Sequence, residues 1–171
     1  LNPEHPTLRN TVQNGDVYFQ VREANNGFYN ALPDTVEKYL TEISKITGRE
    51  YHVFNYYGDP EATDVVIAMG SASGVIKETV ESLCAEGKKV GFLQVHLYRP
   101  FAVDYFLKSL PETVKRIAVL DRTKEMGSAG EPLYADVCGA LMGKGRNISV
   151  IGGSYGLSSK DTDHAQIAAV F

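Results

Sequence analysis

Cysteine is scarce in this sequence, and that scarcity removes several kinds of chemistry at once. The 171 residues contain two, Cys84 and Cys138, far apart and without a C-x-x-C spacing. An iron–sulfur cluster or a structural zinc needs about four ligands, so neither can be built from them. Each stands among apolar neighbours at helical spacing, Ile76, Val80 and Leu83 for Cys84, Tyr134 and Met142 for Cys138. That setting fits two reduced core thiols of a cytosolic protein. Long apolar runs are also missing. Nothing approaches the ~20 residues of a membrane span, and the N-terminus lacks the basic-then-apolar order of a signal peptide. The expected location is the cytoplasm, with no membrane partner. The net charge is −4, and acidic and basic residues alternate along the chain. Without a continuous basic stripe to hold phosphates, nucleic acid is not an expected partner. Internal repeats and low-complexity stretches are absent as well.

What is present is a chain able to fold. Hydrophobic residues make up 43% of it, enough for a real core, and the length suits one domain or a domain with an arm. It opens on Leu1 rather than Met and stops at Phe171 after an apolar helical run. The expectation is therefore one piece of a larger enzyme.

The chain divides near residue 50. Residues 1–50 read as an arm with one leading helix, a linker from a preceding domain, and residues 51–171 as the α/β domain. From Leu1 to Leu32 no period of 2 or 3.6 is sustained, so that stretch is expected to be irregular. Asp34 is placed to start a helix, with Pro33 before it and Glu37 at the capping-box position. Val36, Tyr39, Leu40, Ile43 and Ile46 form its apolar stripe, and Gly48 ends it. So long an arm is expected to lie against a neighbouring domain or subunit.

From Asp64 the pattern becomes regular. Val65–Met69, Val90–Val95, Ile117–Leu120 and Ile148–Ile151 are short apolar runs without alternation. Between them lie helical patterns over Val75–Glu86, Phe101–Leu110 and Pro132–Met142, and a last helix is expected near Asp161 or Thr162. Strands apolar on both faces, separated by helices, predict βαβ units. The fold class is α/β, an open, doubly wound, mostly parallel sheet. In such sheets the functional edge is at the strand C-termini, here Gly70–Gly74, His96–Pro100, Asp121–Gly130 and Gly152–Leu157.

Three segments on that edge carry candidate chemistry. Gly70-Ser71-Ala72-Ser73-Gly74 joins a strand to a helix, but Ala72 stands where a dinucleotide fingerprint needs its second Gly, and no Walker lysine follows. A tight turn with small capping residues explains it, although a helix N-terminus with two serines can accept an anion. Arg99, held between Tyr98 and Pro100, offers a fixed guanidinium for a carboxylate, a phosphate or a partner's ion pair. His96 beside it fits a hydrogen-bonded structural role. Asp121-Arg122-Thr123-Lys124-Glu125 leaves a buried strand and runs through Gly127–Gly130 to Glu131 and Pro132. A charged strand exit commonly reflects solvation; the length of this loop argues for contact with something. Arg99, Asp121, Arg122 and Glu131 are the interface candidates. No nucleophile is flanked by a base, so no catalytic residue is assigned. His5, His52, His96 and His164 show no metal-site spacing, so no metal site is assigned either.

Several strings in this order resemble a known family. They are Phe54-Asn55-Tyr56-Tyr57-Gly58-Asp59-Pro60, Ala68-Met69-Gly70-Ser71, His96-Leu97-Tyr98-Arg99-Pro100-Phe101, Ile117 to Glu125, and Gly130-Glu131-Pro132-Leu133-Tyr134. Gln13-Asn14, Tyr18-Phe19-Gln20 and Gly152 to Lys160 extend the likeness over nearly the whole chain. Together they are similar to the central domain of pyruvate:ferredoxin (flavodoxin) oxidoreductase, a module like the transketolase C-terminal domain. The resemblance implies a non-catalytic assembly domain of an enzyme that converts pyruvate and coenzyme A to acetyl-CoA and CO2. It implies that thiamine diphosphate, Mg2+ and [4Fe–4S] clusters are held by other parts of the polypeptide. It also implies a homodimer, with ferredoxin or flavodoxin as electron acceptor. A free-standing nucleotide- or coenzyme-binding module is the alternative reading.

Overall fold

The computed structural model describes residues 2–6 and 12–171. Two helices come first, α1 (Gly15–Ala24) and α2 (Asn26–Thr47). The expectation of an irregular arm up to Leu32, with a helix starting at Asp34, is corrected here. Pro33 lies inside α2 rather than before it. An interior proline removes one helical hydrogen bond and crowds the carbonyl four residues before it; α2 runs through it all the same, with Val36 and Leu40 packed on the core beyond. Glu37 makes no capping box. Its carboxylate instead accepts from Val53 N at 2.9 Å and lies 2.6 Å from His52 Nδ1, pinning α2 to the chain that enters the sheet. Gly48, in the left-handed region, ends α2 as its position predicts.

The sheet follows. It contains β1 (Phe54–Gly58), β2 (Asp64–Met69), β3 (Val90–Val95), β4 (Arg116–Asp121) and β5 (Ser149–Ser154) in the order β1-β3-β2-β4-β5. β2, β3, β4 and β5 run parallel, and β1 pairs antiparallel on the outer side of β3. The remaining helices are α3 (Ser73–Ala85), α4 (Val103–Ser109), α5 (Pro132–Leu141) and α6 (His164–Ala168). Successive strand residues point to opposite faces, and the core divides accordingly. Val65, Ile67, Leu93, Val95, Ile117 and Val119 meet Phe106 of α4 and Leu133 and Val137 of α5. Val66, Ala68, Phe92 and Leu120 meet Ile76 and Val80 of α3 and Ile167 of α6. Burial on both sides explains why these runs show no polar alternation.

Three local features escaped the sequence. β1 is one, since its Asn55 and Gly58 interrupt the apolar pattern; Asn55 is buried and spends its side chain on His52 N and the Glu50 carbonyl. The length of β5 is another: the strand expected at Ile148–Ile151 runs three residues further, through Gly152 and Gly153, as the outermost parallel strand. A Cβ at Gly152 would come within 3.0 Å of the Tyr134 ring, and one at Gly153 within 3.1 Å of Leu120. Those glycines let neighbouring side chains lie directly on the strand. The last helix starts at His164 rather than near Asp161, because Asp163 and Gln166 close a reciprocal capping box.

Candidate functional site at the strand C-termini

The order of the parallel strands sends the chain from β2 to one face and from β4 to the other, so the crevice of the fold opens between their C-terminal ends. Gly70, at positive φ, turns the chain out of β2 into a short 3-10 turn before α3. Arg122, the first residue past β4, reaches across. Its Nη1 donates to Ser71 Oγ at 2.8 Å and its Nε to the Gly156 carbonyl at 3.0 Å. A Cβ at Gly156 would crowd that guanidinium at 3.2 Å. Tyr155 closes the other side, donating its hydroxyl to the Met69 carbonyl at 3.2 Å, and burial raises its pKa. The crevice is thus occupied by the protein's own arginine and tyrosine. Among the described residues no side chain caps α3, and Ser73 Oγ beneath the turn is buried with no hydrogen-bond partner.

Asp121 and Glu131 face inward. Asp121 is 3% exposed, and its two carboxylate oxygens accept from Leu133 N at 3.0 Å and Tyr134 N at 3.1 Å. Glu131, the residue at the N-cap position of α5, leaves these amides uncapped, so the end of β4 supplies the cap instead. A negative charge at a helix N-terminus is favourable. Burial still raises the pKa of Asp121, against the lowering effect of the two amides. Glu131 is 6% exposed and anchors the loop that precedes it. It accepts from Glu125 N at 2.8 Å, from Lys124 Nζ at 3.1 Å and from Ser154 Oγ at 3.5 Å. The bond from Glu125 N is the chief reason its pKa lies below the ordinary value, and Lys124 adds to it. Gly130 passes so close to the Tyr134 ring that a Cβ would stand 2.3 Å from it. The loop from Arg122 to Gly130 is therefore held at both ends while its tip projects Met126, 89% exposed.

Arg99 lies apart from these three. Its guanidinium pairs with Asp136 on α5, sits 4.0 Å from the centroid of the Tyr98 ring and donates to the Tyr98 hydroxyl at 2.9 Å. The Arg99–Pro100 peptide bond is cis. Beyond Pro100 and Asp136 a groove of about 780 Å³ runs between α2 and the α4–α5 layer, with Tyr29, Pro33, Phe101 and Lys144 on its walls. Tyr105 crosses it to donate to Asp34 at 2.7 Å, and that bond pushes the Tyr105 pKa up to about 12. Asp136 and Tyr155 give no sign of these roles in the sequence; each matters only because the fold brings it to a partner.

As chemistry, the edge offers cations and spent carboxylates. Among the described residues no Ser, Thr or Cys side chain is hydrogen-bonded to a histidine. His96 Nδ1 lies 2.9 Å from the His52 carbonyl, and His164 pairs with Glu78. Among the described residues no group of three His, Cys, Asp or Glu residues converges to hold a metal, and two separated thiols do not fit a cluster. Among the described residues no helix is long and apolar enough to cross a membrane.

Comparison with known proteins gives a consistent result. Pyruvate-flavodoxin oxidoreductase of Enterobacter agglomerans is 54% identical over 171 residues, all of this chain and 15% of that protein. Pyruvate:ferredoxin oxidoreductase of Moorella thermoacetica matches equally, at 54% over the same span and 15% of its length. The chain thus spans about one seventh of the curated relatives it matches. A solved 2-oxoglutarate:ferredoxin oxidoreductase from Magnetococcus marinus aligns with 70% of this chain and 19% of its own at 20% identity and a TM-score of 0.48, too slight a likeness to argue from. The family described as pyruvate:ferredoxin oxidoreductase core domain II matches residues 62–167, more than half of the sequence, and the chain belongs to that family.

Proposed function

We propose that this chain is a non-catalytic assembly domain of a multidomain 2-oxoacid (pyruvate):ferredoxin or flavodoxin oxidoreductase. In that enzyme pyruvate and coenzyme A become acetyl-CoA and CO2, and the electrons pass to ferredoxin or flavodoxin. Thiamine diphosphate, Mg2+ and the [4Fe–4S] clusters belong, on this reading, to the rest of the polypeptide, and the whole works as a cytoplasmic homodimer. Residues 1–50 serve as the arm from a preceding domain and residues 51–171 as the module itself.

One observation carries the reading: at the edge where α/β folds place their chemistry, the carboxylates are already committed. Asp121 holds the α5 amides and Glu131 holds the preceding loop. Arg122 and Met126 beside them, and Arg99 apart on its own pair with Asp136, stay exposed at the surface on held segments, which suits docking. Asp121 and Glu131 contribute to that surface by shaping it.

The test is Arg99→Ala in the full-length enzyme. Truncating a charged group in a desolvated interface costs roughly 2–5 kcal/mol, so subunit association or thermal stability should fall. Cofactor-saturated turnover per assembled enzyme should stay within a few-fold of wild type. Intact assembly with a turnover loss of ~10²-fold or more, the scale of a lost transition-state contact, would move Arg99 into the active site and overturn the proposal.

A further inference from the structure

The apolar surface of this molecule is unevenly distributed. Among the described residues, ten of the fourteen exposed large hydrophobic side chains lie between Val12 and Ile46, while α1 and α2 contribute no buried residue. Soluble proteins rarely leave so concentrated a patch open unless something binds it.

The two helices expose it differently. α2 has an inner and an outer side. Val36 and Leu40 pack on the core, helped by Asp34 to Tyr105, Glu37 to His52 and Val53, and Ser44 to Tyr51. Tyr39, Ile43 and Ile46, at i, i+4 and i+7, form one outward stripe. Phe28, also exposed, precedes Tyr39 by about three turns and falls on the same line. α1 has a narrow polar side, with Asp16, Gln20 and Glu23 at i, i+4 and i+7, and a broad apolar side opposite it. Val17, Tyr18 and Phe19 are consecutive and all exposed, and successive helical residues point about 100° apart. Together with Val21 they spread over about 200° of the helix, wider than the ~100° stripe that a helix lying on a flat face needs.

That geometry selects the occupant. A second copy meeting this one across a flat symmetric face would cover only part of so wide an arc. Enclosure requires a cleft. The relatives keep the arm, since the 54% identity extends over all 171 residues, within polypeptides of which this segment is 15%. A cleft elsewhere in the same polypeptide is tethered to the arm and so present at high effective concentration. Permanent contacts of this kind are also the most apolar ones.

We infer that α1, together with the outer stripe of α2, docks in an apolar cleft of another domain of the same polypeptide. This rests on the assembly reading and names the partner of one surface within it. The assembled full-length enzyme tests it. The photo-crosslinking residue p-benzoylphenylalanine replaces Phe19, and in a second variant Ile46. The adduct should run at the mass of one polypeptide on a denaturing gel and map outside residues 1–171. A covalent dimer would give the site to a second copy, and an adduct within residues 54–171 would mean that the arm folds back; either overturns the inference. The unsubstituted enzyme provides a check independent of the variants. Amides of residues 17–24 should exchange at least 100-fold more slowly than random-coil rates, and near-random-coil exchange overturns the docking. Failure here with a normal Arg99→Ala result removes the cleft and leaves the assembly reading standing. A turnover collapse in Arg99→Ala with a protected arm does the reverse.

Discussion

The arm and the sheet domain satisfy the same physical demands by opposite means. Among the described residues every buried apolar side chain lies at Val53 or beyond, and β2, β3 and β4 pair on both sides and lie between two helical layers. The described residues of the arm include none that is fully buried, and the arm is held by Val36 and Leu40, a few hydrogen bonds and one carboxylate–histidine contact. A fold whose core is closed can be read from its own residues. A segment whose core is supplied by something else cannot, because half of the pattern that explains it lies on another surface.

The largest test of this contrast is a pair of truncations. Phe106 is fully buried and packs against Phe54 and Phe101 with ring centroids 5.8 and 5.4 Å away. Phe106→Ala should cost about 3–5 kcal/mol in denaturant unfolding. Ile46→Ala, at a residue 84% exposed, should change the same chain by about 0.5 kcal/mol or less. A comparable loss at both positions would erase the distinction between the regions.

A smaller effect sharpens it at the strand ends. Asp121→Ala strips the acceptor from two α5 amides at a buried helix start, and should cost about 1–3 kcal/mol. A neutral result would mean that water or a neighbouring group caps α5 instead.

The smallest effect is a pH dependence. The pKa of Glu131 is lowered in the folded chain from its ordinary 4.5. Its contribution to stability is therefore present above that value and is lost as pH falls below it through the folded value. Glu131→Gln should be less stable than wild type near pH 7, and the difference should shrink as the pH drops below about 4. Unfolding curves at several pH values would show it, and a gap that widens in acid would reverse the assignment. Asp121 has the opposite sign, since burial raises its pKa, so its charge weighs against folding above its ordinary range.

The sequence makes the parallel strands legible because burial on both faces writes a continuous apolar run; Val90–Val95 has the same limits in the structure. Pro132 likewise marks the first turn of α5. Where a residue serves a neighbour instead of its own element, the signal is lost. Pro33 looks like a boundary and is helix interior. Gly152 and Gly153 look like a loop and are strand, because the Tyr134 ring and Leu120 need the room. At the strand ends, position was legible and orientation was not. Nothing local says that Asp121 turns back to α5 while Arg122 turns outward to Ser71.

β5 has a final consequence. It is the last strand in the order, and nothing pairs with its outer side among the described residues. From Ser149 to Ser154 it carries no lysine, glutamate or proline, the residues that ordinarily keep an open edge from recruiting another chain. Cut from its surroundings, this domain would betray its origin through self-association at that edge, growing strand upon strand well before its interior came apart.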